Sequence, residues 1–233
     1  MSDTPRSLRS LLAVALIPLL LSLAFTAACY LAAGPSLGLF IGGVFVATLL
    51  APPLVLWRDD ALDRVMVAMS VVDGVAIVWL VAVFTTDTTF AHWLAAYVLL
   101  AAYVTALEGI TLALRRVRFG DVASSAVTVT LALAWLTWPV WFSAWATAST
   151  VRVLVRVHPL FALNGLLHHL GVWGEGRLAY RLTNLGQDVP YHLPNSVHRA
   201  IVLHMLLGGA LLLLACRRRR TGPSVDVPDG HAR

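Results

Sequence analysis

Six stretches of mostly apolar residues, 10–33, 37–57, 65–85, 91–114, 122–147 and 199–216, account for most of the chain. Crossing a bilayer as a helix takes roughly 20 such residues. Hydrocarbon offers no water to backbone N–H and C=O groups, so a spanning segment must satisfy them internally and becomes a helix. The expected fold class is all-α, an integral membrane bundle of six transmembrane helices. The composition agrees: 59% of the 233 residues are hydrophobic and 12% are charged, which argues against a disordered chain or an ordinary soluble domain. Short turns such as 33–38 and 85–89 join the spans, and one long connection, 148–198, separates the last two. Residues 1–216 read as one transmembrane domain and 217–233 as a basic, disordered cytoplasmic tail.

All 17 basic residues are arginine. With both termini cytoplasmic, the inner side holds Arg6, Arg9, Arg58, Arg64, Arg115, Arg116, Arg118 and the run from Arg217 to Arg220. The outer side then holds only Arg152, Arg156, Arg177, Arg181 and Arg199. That excess predicts a multi-pass protein of the cell membrane in this orientation. The arginines are scattered in short runs and build no basic face, so nucleic acid is not an expected partner. Without lysine the chain cannot carry a phosphate-binding loop of the GxxxxGK[ST] type, and no other catalytic constellation stands out. It reads as a non-enzyme, and any ATP hydrolysis must come from a partner. Arg6 and Arg9 precede an apolar stretch ending in "TAAC", as in a signal peptide, but that stretch runs on to Ala33. An uncleaved first span is expected. Cys29 and Cys216 then fall at opposite membrane faces, beyond the ~7 Å reach of a disulfide.

Asp73 and Glu108 are the two acids inside the spans. A charge at the bilayer centre costs at least ~2.5–3.5 kcal/mol on insertion scales, so such groups face the bundle interior and often mark a pathway. Asp73 is nine residues beyond Arg64, and Glu108 seven before Arg115. Counted so, both lie ~10–14 Å from the cytoplasmic end, where two carboxylates at one depth form a candidate ion or proton relay. The plainer reading has each hydrogen-bonded to a nearby hydroxyl or backbone group. On the fifth span Trp135, Trp138, Trp141 and Trp145 fall on one side of a helix that Pro139 should kink. They suit a lipid-facing aromatic belt, or a hydrophobic route or flat cofactor. Gly38 with Gly42, and Gly208 with Gly209, suggest close helix packing.

The long connection carries His158, His168, His169, His192 and His198, with His204 just beyond. Clustered imidazoles raise the question of a metal, but a helical chelate needs ligands at i, i+4. None is so spaced here. A bis-histidine haem on His92 and His204 is the remaining metal alternative. Pro159 can start a short helix on which Leu160, Leu163, Leu167 and Leu170 make an apolar stripe and which Gly171 can end. Leu178, Leu182 and Leu185 repeat the pattern up to Gly186. Two such outer helices, each too short to span, would form a re-entrant or surface-lying hairpin between the fifth and sixth spans.

The six-span layout, the fourth-to-fifth connection "GITLALRRVRFGDVASSAVTV" and the "HPLFALNGLL" segment before the last span resemble the membrane subunits of ABC-2-type transporters. His158 stands where that family often has asparagine before Pro-Leu. The resemblance covers mainly residues 95–216. It implies a permease subunit of an exporter that forms a homo- or heterodimer in membrane lipid, binds an ABC ATPase at its cytoplasmic face, and holds no cofactor of its own. It also implies an ATPase-docking turn at Arg58, Asp59, Asp60, Asp63 and Arg64, although that turn is shorter than the family's. The outer gate it implies comprises His158, Pro159, Phe161, Asn164, His168 and His169. The alternatives are a membrane-embedded metal or haem redox protein using the outer histidines, or an orphan structural membrane protein.

Overall fold

The computed structural model describes residues 8–56, 60–117, 119–142, 145–171 and 192–217. Among the described residues six helices are long and apolar enough to cross a membrane: α1 (Leu8–Ala33), α2 (Leu37–Leu56), α3 (Ala61–Thr85), α4 (Phe90–Arg116), α5 (Asp121–Trp141) and α8 (His198–Arg217). Two shorter helices, α6 (Ala148–Val157) and α7 (Pro159–Leu166), and a 3-10 turn at His168–Leu170 lie between α5 and α8. No strand occurs among the described residues. The chain is an all-α, multi-pass membrane bundle. The second predicted short helix, around 178–185, lies outside the described residues.

Local chemistry sets the helix ends. α1 stops where Gly34 takes φ 65°, with its N–H bonded to the Tyr30 carbonyl at 2.8 Å, a left-handed position that costs other residues energy. α3 begins earlier than its apolar run, at Ala61, because the Asp60 carboxylate accepts the Leu62 N–H at 2.8 Å and caps it. α5 ends at Trp141, short of residue 147, and Thr147 restarts the chain as the cap of α6 by accepting from the Thr150 N–H. Hydropathy alone ran the fifth span through this break, since the residues on both sides are apolar.

α2, α3 and α4 are the most enclosed spans, whereas α1 and α8 turn leucine-rich faces outward. Phe40, Val71, Val75, Trp79, Leu100 and Tyr103 fill the centre. α1 packs most closely on α3, and α4 on α8. Small residues allow both approaches. A Cβ on Gly74 would strike the Ser22 side chain and the Leu19 carbonyl of α1. One on Gly208 would lie 2.7 Å from the Thr105 carbonyl oxygen of α4. Both members of the Gly38–Gly42 pair approach α1, Gly42 at Cys29 and Gly38 at Ala33 where the chain turns.

Candidate functional site

Residues 158–171 enter the bundle instead of lying on it. Proline has no N–H and its ring clashes with the preceding turn, so Pro159 ends α6 at Val157. The residue before a proline is driven to extended backbone, and His158 sits at φ −78°, ψ 130°. Its N–H closes α6 on the Leu154 carbonyl at 3.0 Å, and its own carbonyl opens α7 by accepting the Ala162 N–H at 3.0 Å. α7 gives way after Leu166 to the 3-10 turn and then to Gly171 at φ 118°. The Asn164 side-chain amide donates to the Gly171 carbonyl at 2.9 Å and ties the turn back to the helix.

The predicted stripe is the buried face. Leu160, Leu163 and Leu167 are fully enclosed, and Leu170 packs against the same core. Pro159 and Leu163 border a void of about 10 Å³ together with Val44, Trp79, Leu99 and Tyr103. Val44 and Trp79 lie seven and six residues inside the ends of α2 and α3, ~10 Å along their axes, and Tyr103 lies 13 residues inside α4, ~20 Å. α7 is therefore inserted between the spans and not laid across their ends. Non-spanning backbone at that depth is stable only when protein covers it, and α2, α4 and α8 do so.

One bond fastens α7 to α5. A helix residue normally donates its N–H to the carbonyl four back, but Pro139 has none, which leaves the Trp135 carbonyl without its partner. His158 Nε2–H donates to that carbonyl at 2.9 Å. Because a carbonyl only accepts, the proton sits on Nε2 and Nδ1 carries a bare lone pair. Nδ1 is buried with no hydrogen-bond partner, as is Trp138 Nε1. Burial pushes the His158 pKa down to about 3, with the Trp135 bond opposing the shift and nearby His204 adding to it. The rings of Trp135, Phe161 and Trp138 stand 4.9, 5.2 and 6.2 Å from the imidazole. The tryptophan stripe thus divides. Trp135 and Trp138 enclose α7, while Trp141 and Trp145 are 50% and 76% exposed.

The implied gate residues divide in the same way. His158, Pro159, Phe161 and Asn164 are buried, but His168 and His169 are exposed at the mouth. His169 Nε2 meets Thr88 Oγ1 at 3.2 Å, and its ring stacks on His92 at 5.3 Å. Desolvation first, and then the charges of His92 and His168, hold the His169 pKa below its ordinary value against the pull of Asp87. His92 also caps α4, exchanging hydrogen bonds with Thr89.

His92 and His204 are not brought together. The edge-on contact of Tyr103 with His204 at 5.5 Å places His204 beside position 103, 11 residues from His92 and ~16 Å along α4. One iron needs both axial nitrogens within about 4–5 Å of each other, so this pair does not fit a haem. His204 Nδ1 instead meets the Ala200 carbonyl at 2.6 Å. Among the described residues no three His, Cys, Asp or Glu side chains converge as a metal site.

The two intramembrane acids are also apart. Tyr97 OH donates to Asp73 at 3.0 Å and Trp93 Nε1–H to the Ala76 carbonyl at 2.9 Å, which fixes how α3 runs against α4. Glu108 lies 11 residues beyond Tyr97, ~16 Å further along α4, where its carboxylate is acted on by the charge of Arg64. Counting from Arg64 and Arg115 made the depths equal because it took the two arginines as level, yet α4 extends well past the start of α3. We expect Asp73→Asn and Glu108→Gln to change thermal stability additively, within about 0.5 kcal/mol, as sites this far apart do. A coupling above ~1 kcal/mol in a double-mutant melting cycle would restore the shared relay.

In the proposed docking turn, Arg58 and Asp59 lie outside the described residues. Asp60 is occupied as the cap of α3, Arg64 is buried at 8% exposure beside Glu108, and Asp63 lies in the first helical turn. α6 is absent from the sequence expectations, although Val151 and Val155, ~100° round the helix from Arg152 and Arg156, spell an amphipathic helix stopped by Pro159. Comparison of the chain with family models, curated proteins and solved structures gives no match.

Proposed function

We propose that this chain is the permease-like membrane subunit of an ABC-2-type exporter, working as a homo- or heterodimer with ATP hydrolysis on a separate partner. The observation that carries the reading is α7, a short helix inserted into the bundle with its apolar face buried among α2, α4 and α8. Helices that enter a membrane without crossing it cluster at transport sites, where their broken backbone lines or closes a path. In this reading α7 is the outer plug, seated on Trp79, Leu99 and Tyr103. Its withdrawal opens the mouth. The bond from His158 to Trp135 and the contact of His169 with Thr88 latch its two ends. With no lysine for a nucleotide-binding loop, energy comes from the partner, which docks at the opposite end of the bundle around Asp63 and the Arg115–Asp121 ion pair at 2.8 Å.

The test is reconstitution with the ABC ATPase encoded nearest to this chain. The two co-purify and the chain stimulates ATP hydrolysis. A disulfide between Leu163→Cys on α7 and Leu99→Cys on α4 suppresses that stimulation until it is reduced. No co-purification and no change in hydrolysis would remove the exporter reading and leave the structural one.

A further inference from the structure

Beside α7, at the same end of the bundle, a cavity of about 720 Å³ opens between α6, the first turn of α8 and the segment 192–197. Three guanidinium groups line it. Arg152 and Arg156 project from one face of α6, four residues apart, and Arg199 comes from α8. The adjoining face of α6, ~100° round the helix, is buried, with Val151 and Val155 packed against Trp138 and Phe161. His192 and His198 also line it, Val155 and Leu193 add apolar surface, and no acid occurs among the described lining residues. No ion pair engages the three arginines among the described residues.

The arrangement runs against two ordinary preferences. Like charges at i, i+4 destabilise a helix by a few tenths of a kcal/mol, and the outer side of a membrane protein is normally poor in arginine. Of the five arginines that the orientation rule leaves outside, three meet in this one cavity, from helices more than 40 residues apart in the chain. Guanidinium forks match the oxygen geometry of phosphate and bind it with paired, charge-assisted bonds. The volume is that of a small-molecule site. We infer that this cavity binds a phosphate-bearing anion, either the headgroup of a phospholipid or a soluble phosphate. The site rests on the three arginines and not on the transport reading, although Val155 and Leu193, which line it, also pack against Trp138 and Phe161 beside the plug.

Two probes separate the sources: phosphatidylglycerol titrated into the detergent-solubilised chain and read by native mass spectrometry, and inorganic pyrophosphate read by calorimetry. We expect saturable binding of at least one. Saturation by phosphatidylglycerol alone assigns a lipid headgroup, and by pyrophosphate alone a soluble anion. R152Q and R199Q, on different helices, each weaken binding about tenfold, the loss of one charge-assisted bond. The R152Q/R156Q/R199Q triple weakens it a hundredfold or more, while the lysine triple, which keeps charge and loses the forks, falls between. These side chains are exposed, so the variants should elute and melt as the parent does. No saturable binding of either probe, or equal binding by the glutamine variants, overturns the site.

Discussion

His158→Ala loosens α7 by about 3 kcal/mol, the sum of an unsatisfied buried carbonyl and the hole left by an imidazole. The substitution strips the Trp135 carbonyl of the donor that replaces the N–H that Pro139 lacks. It also empties space enclosed by Trp135, Trp138 and Phe161. Two further substitutions separate these causes. Phenylalanine refills the volume but offers no donor, so His158→Phe loses only the hydrogen-bond part, about 1–3 kcal/mol. Glutamine offers an amide N–H, and His158→Gln should be the mildest of the three. The readouts are thermal melting in detergent and protease sensitivity of the 158–171 segment. Equal losses for all three would show that shape alone, and not the Trp135 bond, holds the helix.

The same residue sets a pH dependence whose sign follows from its burial. In the seated state His158 titrates near 3, and released into water it titrates near 6.5. Between those values the unseated form binds a proton that the seated form excludes. Acidification below about pH 6.5 therefore weakens seating, by up to about 1.4 kcal/mol per pH unit, until the loss levels off below about pH 3. Above pH 6.5 the histidine contributes no slope. His169, also held below its ordinary value, acts in the same direction but is exposed and screened. His158→Gln removes the part of the acid sensitivity that this imidazole contributes. A melting temperature that is flat from pH 7 to pH 4 in the parent chain would contradict the buried neutral imidazole.

The spans are legible because the bilayer imposes a length and a composition that any sequence must meet, and the leucine stripe after Pro159 is legible because a helical period does not depend on what it packs against. Depth is different. Asp73 and Glu108 look level when counted from the nearest arginines, but the stagger of α3 on α4 comes from Tyr97 reaching Asp73 and Trp93 reaching Ala76, contacts that no local pattern encodes. The latch is half visible: a proline at 139 announces a free carbonyl at 135, yet nothing in the chain says that a histidine 23 residues on will find it. The arginine cavity is hidden for the same reason. Arg152 and Arg156 share a face by periodicity, and Arg199 joins them only through the packing of α6 on α8.

Gly208→Leu prevents α8 from seating on α4, whereas Gly209→Leu, one residue along, leaves the protein folded. A side chain on Gly208 would meet the Thr105 carbonyl and the Ala106 nitrogen at 2.7–2.9 Å, and these are backbone atoms that cannot rotate aside. Gly109 faces back across the same gap, with its Cβ position 2.9 Å from the Gly208 carbonyl. α8 would have to withdraw, parting Tyr103 from His204 and the Arg116 guanidinium from the Leu214 carbonyl, which it now reaches at 3.1 Å. Overpacking a core side chain costs about 1–3 kcal/mol; here an entire helix contact is at stake, so the expected result is loss of monodisperse protein. At Gly209 nothing lies within 4 Å of the added carbon. Gly209→Ala should gain up to about 1 kcal/mol from helix propensity alone, the opposite sign to Gly208→Ala. Detergent size-exclusion profiles and melting temperatures of the four variants decide the matter. Equal damage at both positions would mean that the second face of α8 is packed too, against a surface outside the described residues.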